Sequence, residues 1–213
     1  MNTPTHSKDP AANLAARQRW VTPAAQVKAQ QAITSAVDAL GGPPLRHALH
    51  GDWLHEPLHA VLTDIPVGSW TATVAFDALA ALSSSNQLDT AADATLILGL
   101  LGATGSAITG LNDWSSVHQP VARRVGAVHG ILNLAATGLF LASACSRRRK
   151  NRNTGRALAM LGYLTVSAAA HLGGNLVYEH RVGSHEAREA ARQPFQAHPD
   201  PMEAEGAFPI SLD

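Results

Sequence analysis

Four apolar runs separated by short polar segments dominate the middle of the chain. Each run has 18 or more residues and contains almost no lysine or arginine. A helix of that length crosses about 30 Å of hydrocarbon at a rise of about 1.5 Å per residue. A soluble four-helix bundle is the alternative, but it requires a charged face on every helix, and the runs carry none. The pattern therefore predicts an all-α fold, a four-helix transmembrane bundle with short polar N- and C-terminal tails.

The predicted organisation has three parts. Residues 1–46 form a polar N-terminal tail, residues 47–185 the four-span membrane domain, and residues 186–213 a polar C-terminal tail. The predicted spans are 59–82, 94–113, 125–146 and 157–178. Residues 24–40 have helical composition and end at a Gly-Gly-Pro-Pro stop signal, so we expect a short helix outside the membrane, on its surface or as a solvated tail.

Composition removes several classes of function. The net charge is zero, which gives no nucleic-acid signature. The single cysteine, Cys145, excludes an internal disulfide and any Cys-x-x-Cys pair. No Gly-x-Ser-x-Gly, His-Glu-x-x-His or P-loop pattern occurs. The sequence therefore does not indicate an autonomous enzyme.

Polar residues gather at one predicted membrane face. Four antiparallel spans bring the starts of spans one and three to the same face as the ends of spans two and four. His59, Asp113, His129 and His171 lie at or near these ends. By helical rise, His129 and His171 lie roughly 6–10 Å below the same surface. Because imidazoles inside a span usually face the bundle interior, the three histidines predict a shared site.

Three kinds of site fit this group. Haem b is the first, since bundle interiors bind it through histidines on facing helices. Arginines at the same face would bind the propionates of the haem, and asparagines one turn from the histidines would orient the imidazole rings. Nearby glycines would leave room for the macrocycle: Gly126, Gly130, Gly173 and Gly174. The candidate cofactor-binding residues are His59, His129, His171, Arg123, Arg124, Asn133 and Asn175.

A transition metal ion is the second kind of site, and proton or small-ion handling is the third. The candidate metal ligands are His55, His59, His129, His171 and Asp113. Such nitrogen and oxygen ligands suit zinc, copper or iron. Each histidine can equally be a hydrogen-bonded core residue, and each asparagine an interhelical contact.

Two carboxylates and a stripe of small residues have structural interpretations. Asp64 precedes Pro66 and is a candidate N-cap or functional acid. Asp77 lies near the far end of the first span, where an unpaired carboxylate costs roughly 2–3 kcal/mol unless it reaches the interface. The stripe Gly102, Ser106 and Gly110 in the second span predicts close helix packing.

The segment from His55 to Trp70 carries a resemblance. It reads His-Glu-Pro-Leu-His-Ala-Val-Leu-Thr-Asp-Ile-Pro-Val-Gly-Ser-Trp, and His129 and the His171-Leu-Gly-Gly-Asn175 segment follow later. Together they resemble a bacterial family of predicted four-helix membrane proteins, a domain of unknown function with some members fused to a Rieske iron–sulfur domain. The similarity covers about residues 47–185 and implies a multi-pass membrane protein with a redox association.

The resemblance supplies no activity and no catalytic residues, and this chain departs from the fused members. No Cys-x-His pair follows Arg181, so a redox partner would be a separate protein. A non-catalytic membrane anchor and a small ion or proton transporter remain alternatives. Contact with the lipid bilayer is expected, and the sequence leaves open whether the protein is a homo-oligomer.

Orientation rests on the cation-rich segment 147–156. Positively charged loops favour the cytoplasmic side, so we expect this segment there and the protein in the bacterial inner membrane. The opposite face also carries cations, which argue the other way: Arg46, Arg123, Arg124, Arg181, Arg188 and Arg192.

Overall fold

A computed structural model describes residues 22–182, and within that range the ordered elements are helices. The helices are α1 (Pro23–Leu40), α2 (Gly42–His50), α3 (Leu58–Ser83), α4 (Asn86–Ser115), α5 (Pro120–Arg148) and α6 (Arg152–Tyr178). The last four are long and apolar enough to cross a membrane. They confirm the predicted four-helix transmembrane bundle. The predicted C-terminal tail, residues 186–213, lies outside the described residues.

The position of Pro66 in the first spanning helix differs from the expected one. Helix α3 begins at Leu58, with Pro57 as its N-cap residue, so Pro66 lies inside the helix. The interpretation of Asp64 as an N-cap is therefore wrong. Membrane helices tolerate proline where a neighbouring helix covers the interruption. Here the Pro66 ring packs on Gly102 of α4, where an added Cβ would lie 2.9 Å from the Pro66 Cδ.

The bundle consists of two helical hairpins, α3–α4 and α5–α6. Within each hairpin the helices pack along their length, and α4 also packs on α5 and α6 on α3. Helices α3 and α5 therefore lie diagonally opposite each other. The short turns within the hairpins share one end of the bundle, which we call the loop end. The other end, where α3 and α5 begin, is the histidine end.

Contacts in the first hairpin recur in the second at fixed sequence offsets. The Trp70 ring covers Gly99, and a Cβ added to Gly99 would lie 2.3 Å from the Trp70 Nε1. The Phe140 ring covers Gly162, where the corresponding distance to Cδ2 is 3.0 Å. Phe140 follows Trp70 by 70 residues, and Gly162 follows Gly99 by 63. The two rings stack with centroids 4.0 Å apart and planes 11° from parallel.

The buried positions obey the same offsets. In α3 and α5 the equivalent buried residues are Pro66 and Ala136, Trp70 and Phe140, Thr73 and Ser143, and Asp77 and Arg147. In α4 and α6 they are Ala92 and Gly155, Leu96 and Ala159, Gly99 and Gly162, Ser106 and Ala169, Thr109 and Leu172, and Asn112 and Asn175. The hairpins are thus pseudo-equivalent, and a pseudo-twofold axis passes between α3 and α5.

The N-terminal helix predicted over residues 24–40 is present and packs on the histidine end. Its Gln26 and Gln30 are buried. The Gln30 Nε2 donates hydrogen bonds to the carbonyls of Trp114, at 2.8 Å, and Val117, at 2.9 Å. Trp114 is in the last turn of α4 and Val117 follows the helix, so α1 is attached to the C-terminal end of α4. Helix α1 therefore belongs to the packed structure and is not a solvated tail.

The close approach of Trp70 to Gly99 generates the first prediction. We expect Gly99→Leu to lower the melting temperature of the detergent-purified protein, because its side chain would occupy the position of the indole ring. Overpacking of this kind costs about 1–3 kcal/mol. Gly68→Leu is the matched control, since Gly68 is also within a helix and an added Cβ there meets nothing within 4 Å. Equal melting temperatures for the two variants would contradict this packing.

Candidate functional site

His59 and His129 face each other across the bundle at its histidine end. They are equivalent positions, 70 residues apart, on α3 and α5. Their ring centroids are 6.3 Å apart and the ring planes are nearly perpendicular, at 88°. Both side chains are half-buried. Two of the predicted site histidines thus form a pair on the pseudo-twofold axis.

Each imidazole is held by the second helix of its own hairpin. The His59 Nδ1 lies 2.8 Å from the carbonyl oxygen of Ser106, and the His129 Nδ1 lies 2.8 Å from that of Ala169. A carbonyl oxygen only accepts, so Nδ1–H is the donor in both rings. A neutral ring of this tautomer carries its lone pair on Nε2. Both residues therefore have the form in which histidine binds metals, with the other nitrogen bonded to a carbonyl.

Glycines on α4 and α6 allow the rings to lie this close to the helix backbone. A Cβ added to Gly110 would lie 2.7 Å from the His59 Cε1, and one added to Gly173 would lie 3.0 Å from the His129 Cε1. The stripe of small residues predicted in the second span therefore packs against α3, as expected, and Gly110 provides the surface for an imidazole. Gly173 has the same role in the second hairpin.

Asn133 is the other predicted site residue that contacts the pair. Its Nδ2 lies 3.1 Å from the His129 Nε2 and donates to the His129 carbonyl at 3.0 Å. The two arginines of α5, Arg123 and Arg124, are half-buried in the preceding turns. The Arg123 Nη1 donates to the Gln30 Oε1 at 3.5 Å, which connects it to α1.

His171 does not join the pair. The face of α6 that receives His129 contains Ala169 and Gly173, and His171 is two residues from each, about 200° around the helix. Its side chain is accordingly exposed on the outside of the bundle. The structure reduces the expected group of three histidines to a pair. Asn175, which was expected to orient the His171 ring, is buried, whereas the His171 side chain is exposed.

The remaining metal-ligand candidates are also separated from the pair. Asp113 is bonded to His50, whose Nδ1 lies 2.6 Å from the Asp113 Oδ1. His55 is exposed in the turn before α3, with a left-handed φ of 62°. Among residues 22–182 no three histidine, cysteine, aspartate or glutamate side chains are grouped so that they could hold a metal ion.

The glycines expected to leave room for a macrocycle have different surroundings. A Cβ added to Gly126 would lie 2.7 Å from the Trp114 Cδ1, so an indole fills that space. His129 fills the space beside Gly173, as described above. An added Cβ at Gly130 meets nothing within 4 Å, so the flank of α5 beside His129 is open.

A layer of paired charges occupies the loop end. Arg147 is buried and contacts both oxygens of Asp77, and its Nη1 lies 2.9 Å from the Asp93 Oδ1. The Arg152 Nε lies 2.6 Å from the Asp89 Oδ1. The layer consists of Asp77, Asp89, Asp93, Arg147, Arg152 and Arg156. These residues come from all four spanning helices, and we call them the ion layer.

The ion layer follows the internal repeat. Arg147 is equivalent to Asp77, and Arg152 and Arg156 are equivalent to Asp89 and Asp93. The first hairpin therefore carries three acids and the second carries arginine at the same three positions. Sequence reasoning considered the aspartates singly and missed this pairing. The available signal was an i, i+4 pair of acids at the start of one helix and an i, i+4 pair of arginines at the start of another.

The fold and the paired side chains define an integral, multi-pass helical membrane protein in contact with the lipid bilayer. Residues 55–186 match the family described as "Predicted membrane protein (DUF2231)", and because the match covers more than half of the chain, the protein belongs to that family. No curated protein and no solved structure matches the chain.

The ion layer generates the second prediction. We expect Asp77→Asn and Arg147→Gln each to lower the free energy of unfolding, since loss of one partner of a buried pair costs about 3–5 kcal/mol. The double variant should lose clearly less than the two single losses combined, because it leaves neither of these two groups charged. Thermal unfolding in detergent measures all three variants.

Arg148→Gln is the matched control, because Arg148 is the next residue and is exposed. We expect its melting temperature to equal that of the wild type. Strictly additive effects of Asp77→Asn and Arg147→Gln would contradict a coupled buried pair.

Proposed function

We propose that the protein is a haem b-binding membrane subunit of a redox system, in which His59 and His129 would bind the haem iron. The observation that carries this proposal is the facing pair itself. Two equivalent imidazoles lie on diagonally opposite helices, 6.3 Å apart, each with Nδ1–H bonded to a helix carbonyl. Cofactor sites in helical bundles are built from side chains on facing helices in this way.

The set of donor atoms favours haem iron over a bare ion. Structural zinc sites take four protein ligands and catalytic sites three. Two imidazoles alone fall short of both. Haem iron brings its own ring nitrogens and needs only axial ligands from the protein. A bare ion shares the same imidazole chemistry, and the experiment below distinguishes the two.

The two imidazoles are close enough to bind one iron together, since their ring centroids are 6.3 Å apart. The Asn133 Nδ2 lies 3.1 Å from the His129 Nε2. The lone pair on that nitrogen can bind only one partner, so the Asn133 amide would have to move away when iron binds there.

The chain's own residues would hold and tune the group. The carbonyls of Ser106 and Ala169 fix the ring tautomers and increase the basicity of Nε2. Arg123 and Arg124, within two turns before His129 on α5, are the proposed partners of the propionates. When bound, the haem supplies one-electron transfer.

A separate redox protein is the proposed electron partner. An iron–sulfur cluster needs four cysteine ligands, or two cysteines and two histidines, and this chain has one cysteine. We further propose that the protein lies in the bacterial inner membrane with segment 147–156 in the cytoplasm. The support is the cation density of that segment. The histidine end would then face the other side.

Absorbance spectra of the detergent-purified protein, oxidised and then reduced with dithionite, test this proposal. From cells supplied with haem, we expect a Soret band that sharpens on reduction and iron near one atom per chain. His59→Ala and His129→Ala should each lose most of this absorbance, because each removes one axial ligand. His171→Ala is the matched control and should keep the spectrum, since its side chain lies on the outside of the bundle.

Three results would contradict the proposal. Loss of haem from His171→Ala together with its retention in His59→Ala would place the site elsewhere. Metal without a Soret band would indicate a bare-ion site. A wild-type protein with neither haem nor metal would favour the non-catalytic membrane anchor.

A further inference from the structure

A groove lies between α3 and α6 near the ion layer. It has a volume of about 200 Å³ and is partly open to the outside. Its lining residues are Val74, Asp77, Ala78, Ala81, Arg156 and Met160. The apolar members on α3 recur at steps of four and three, so they share one helix face. The small side chains of Ala78 and Ala81 make this face concave towards the lipid.

The loop end of the bundle, where the groove lies, carries an excess of positive charge. Helices α5 and α6 and the turn between them carry six cations at the loop end, and the ion layer contains three carboxylates. The net charge of these groups is therefore +3. Three arginines of the ion layer pair with the carboxylates. The surplus therefore corresponds to Arg148, Arg149 and Lys150, which are all exposed at the α5–α6 turn.

We propose that the α3–α6 groove binds one anionic phospholipid, with an acyl chain along Val74, Ala78 and Met160 and the headgroup phosphate on the cations of the α5–α6 turn. Basic surfaces between membrane helices bind anionic headgroups, and each cation near the membrane surface contributes to that attraction. This inference does not depend on haem binding.

The polar groups at the end of the groove are compatible with an anion. The Asp77 carboxylate lines the groove, but both of its oxygens contact Arg147, which compensates its charge. The Arg156 Nε lies 3.7 Å from the Asp77 Oδ1 and, among the described residues, has no hydrogen-bond partner. Arg156 therefore adds a second positive charge beside the Asp77 carboxylate.

Apolar walls and surplus charge together select the class of ligand. A soluble anion would use the cations and leave the apolar walls uncovered. A zwitterionic lipid would cover the walls without neutralising the cations. An anionic phospholipid does both, so phosphatidylglycerol should bind better than phosphatidylcholine with the same acyl chains.

Thermal unfolding of the full chain in detergent tests this site. We expect added dioleoyl phosphatidylglycerol to raise the melting temperature by about 4 °C, and dioleoyl phosphatidylcholine to raise it much less. The triple variant Arg148→Gln/Arg149→Gln/Lys150→Gln should lose most of this difference. Lys28→Gln/Arg181→Gln, which removes two exposed cations from the histidine end, is the control and should retain it.

A second variant tests where the acyl chain lies. Ala78→Phe fills the groove and leaves the cations of the α5–α6 turn unchanged, and we expect it to lose the phosphatidylglycerol effect as well. Equal shifts with both lipids, or a shift that survives the triple variant, would overturn the proposal. So would a shift that inorganic phosphate alone reproduces, or one that Ala78→Phe leaves intact.

Discussion

Three aspartates and three arginines meet at the loop end of the bundle, and the rest of the structure depends on their pairing. Removing one partner from such a buried pair leaves an uncompensated charge. All three acids are on the first hairpin and all three arginines are on the second, so neither hairpin can neutralise its own charges. Two copies of the same hairpin would place like charges together. The ion layer therefore favours packing of the first hairpin on the second. Repulsion between like charges disfavours packing of two identical hairpins, which is a source of specificity.

Equivalent residues of the two hairpins contact each other at three levels, from one end of the bundle to the other. Along the pseudo-twofold axis, α3 and α5 contribute the Asp77–Arg147 ion pair, then the stacked Trp70 and Phe140, then the two imidazoles. Eighteen residues separate Asp77 from His59, about 27 Å of helix, so the paired charges and the paired imidazoles lie near opposite membrane faces. Glycines on α4 and α6 allow each ring to lie against backbone.

Sequence patterns predicted the number of spans and the gathering of histidines at one end, because run length and depth along a helix can be counted directly. They could not show which face of a helix points inwards. His171 has nearly the depth of His129 but lies on the opposite face of α6, and the glycines at 162 and 173 decide that face. The helices that contain the spans predicted over 94–113 and 157–178 begin earlier, at Asn86 and Arg152, because charges that indicate a loop in isolation are paired within the helices. The repeat itself is hard to see in the sequence, because most equivalent positions carry different residues; the identical pairs include His59 and His129, Gly99 and Gly162, Gly110 and Gly173, and Asn112 and Asn175.

The central claim is that two imidazoles share one iron. Low-temperature electron paramagnetic resonance of the oxidised, haem-loaded wild-type protein tests it most directly, because two strong axial nitrogen ligands make ferric haem low-spin. We predict a low-spin ferric signal, because His59 and His129 would each supply an imidazole nitrogen to the iron. A high-spin ferric signal would mean that at most one histidine reaches the iron, and it would contradict the account.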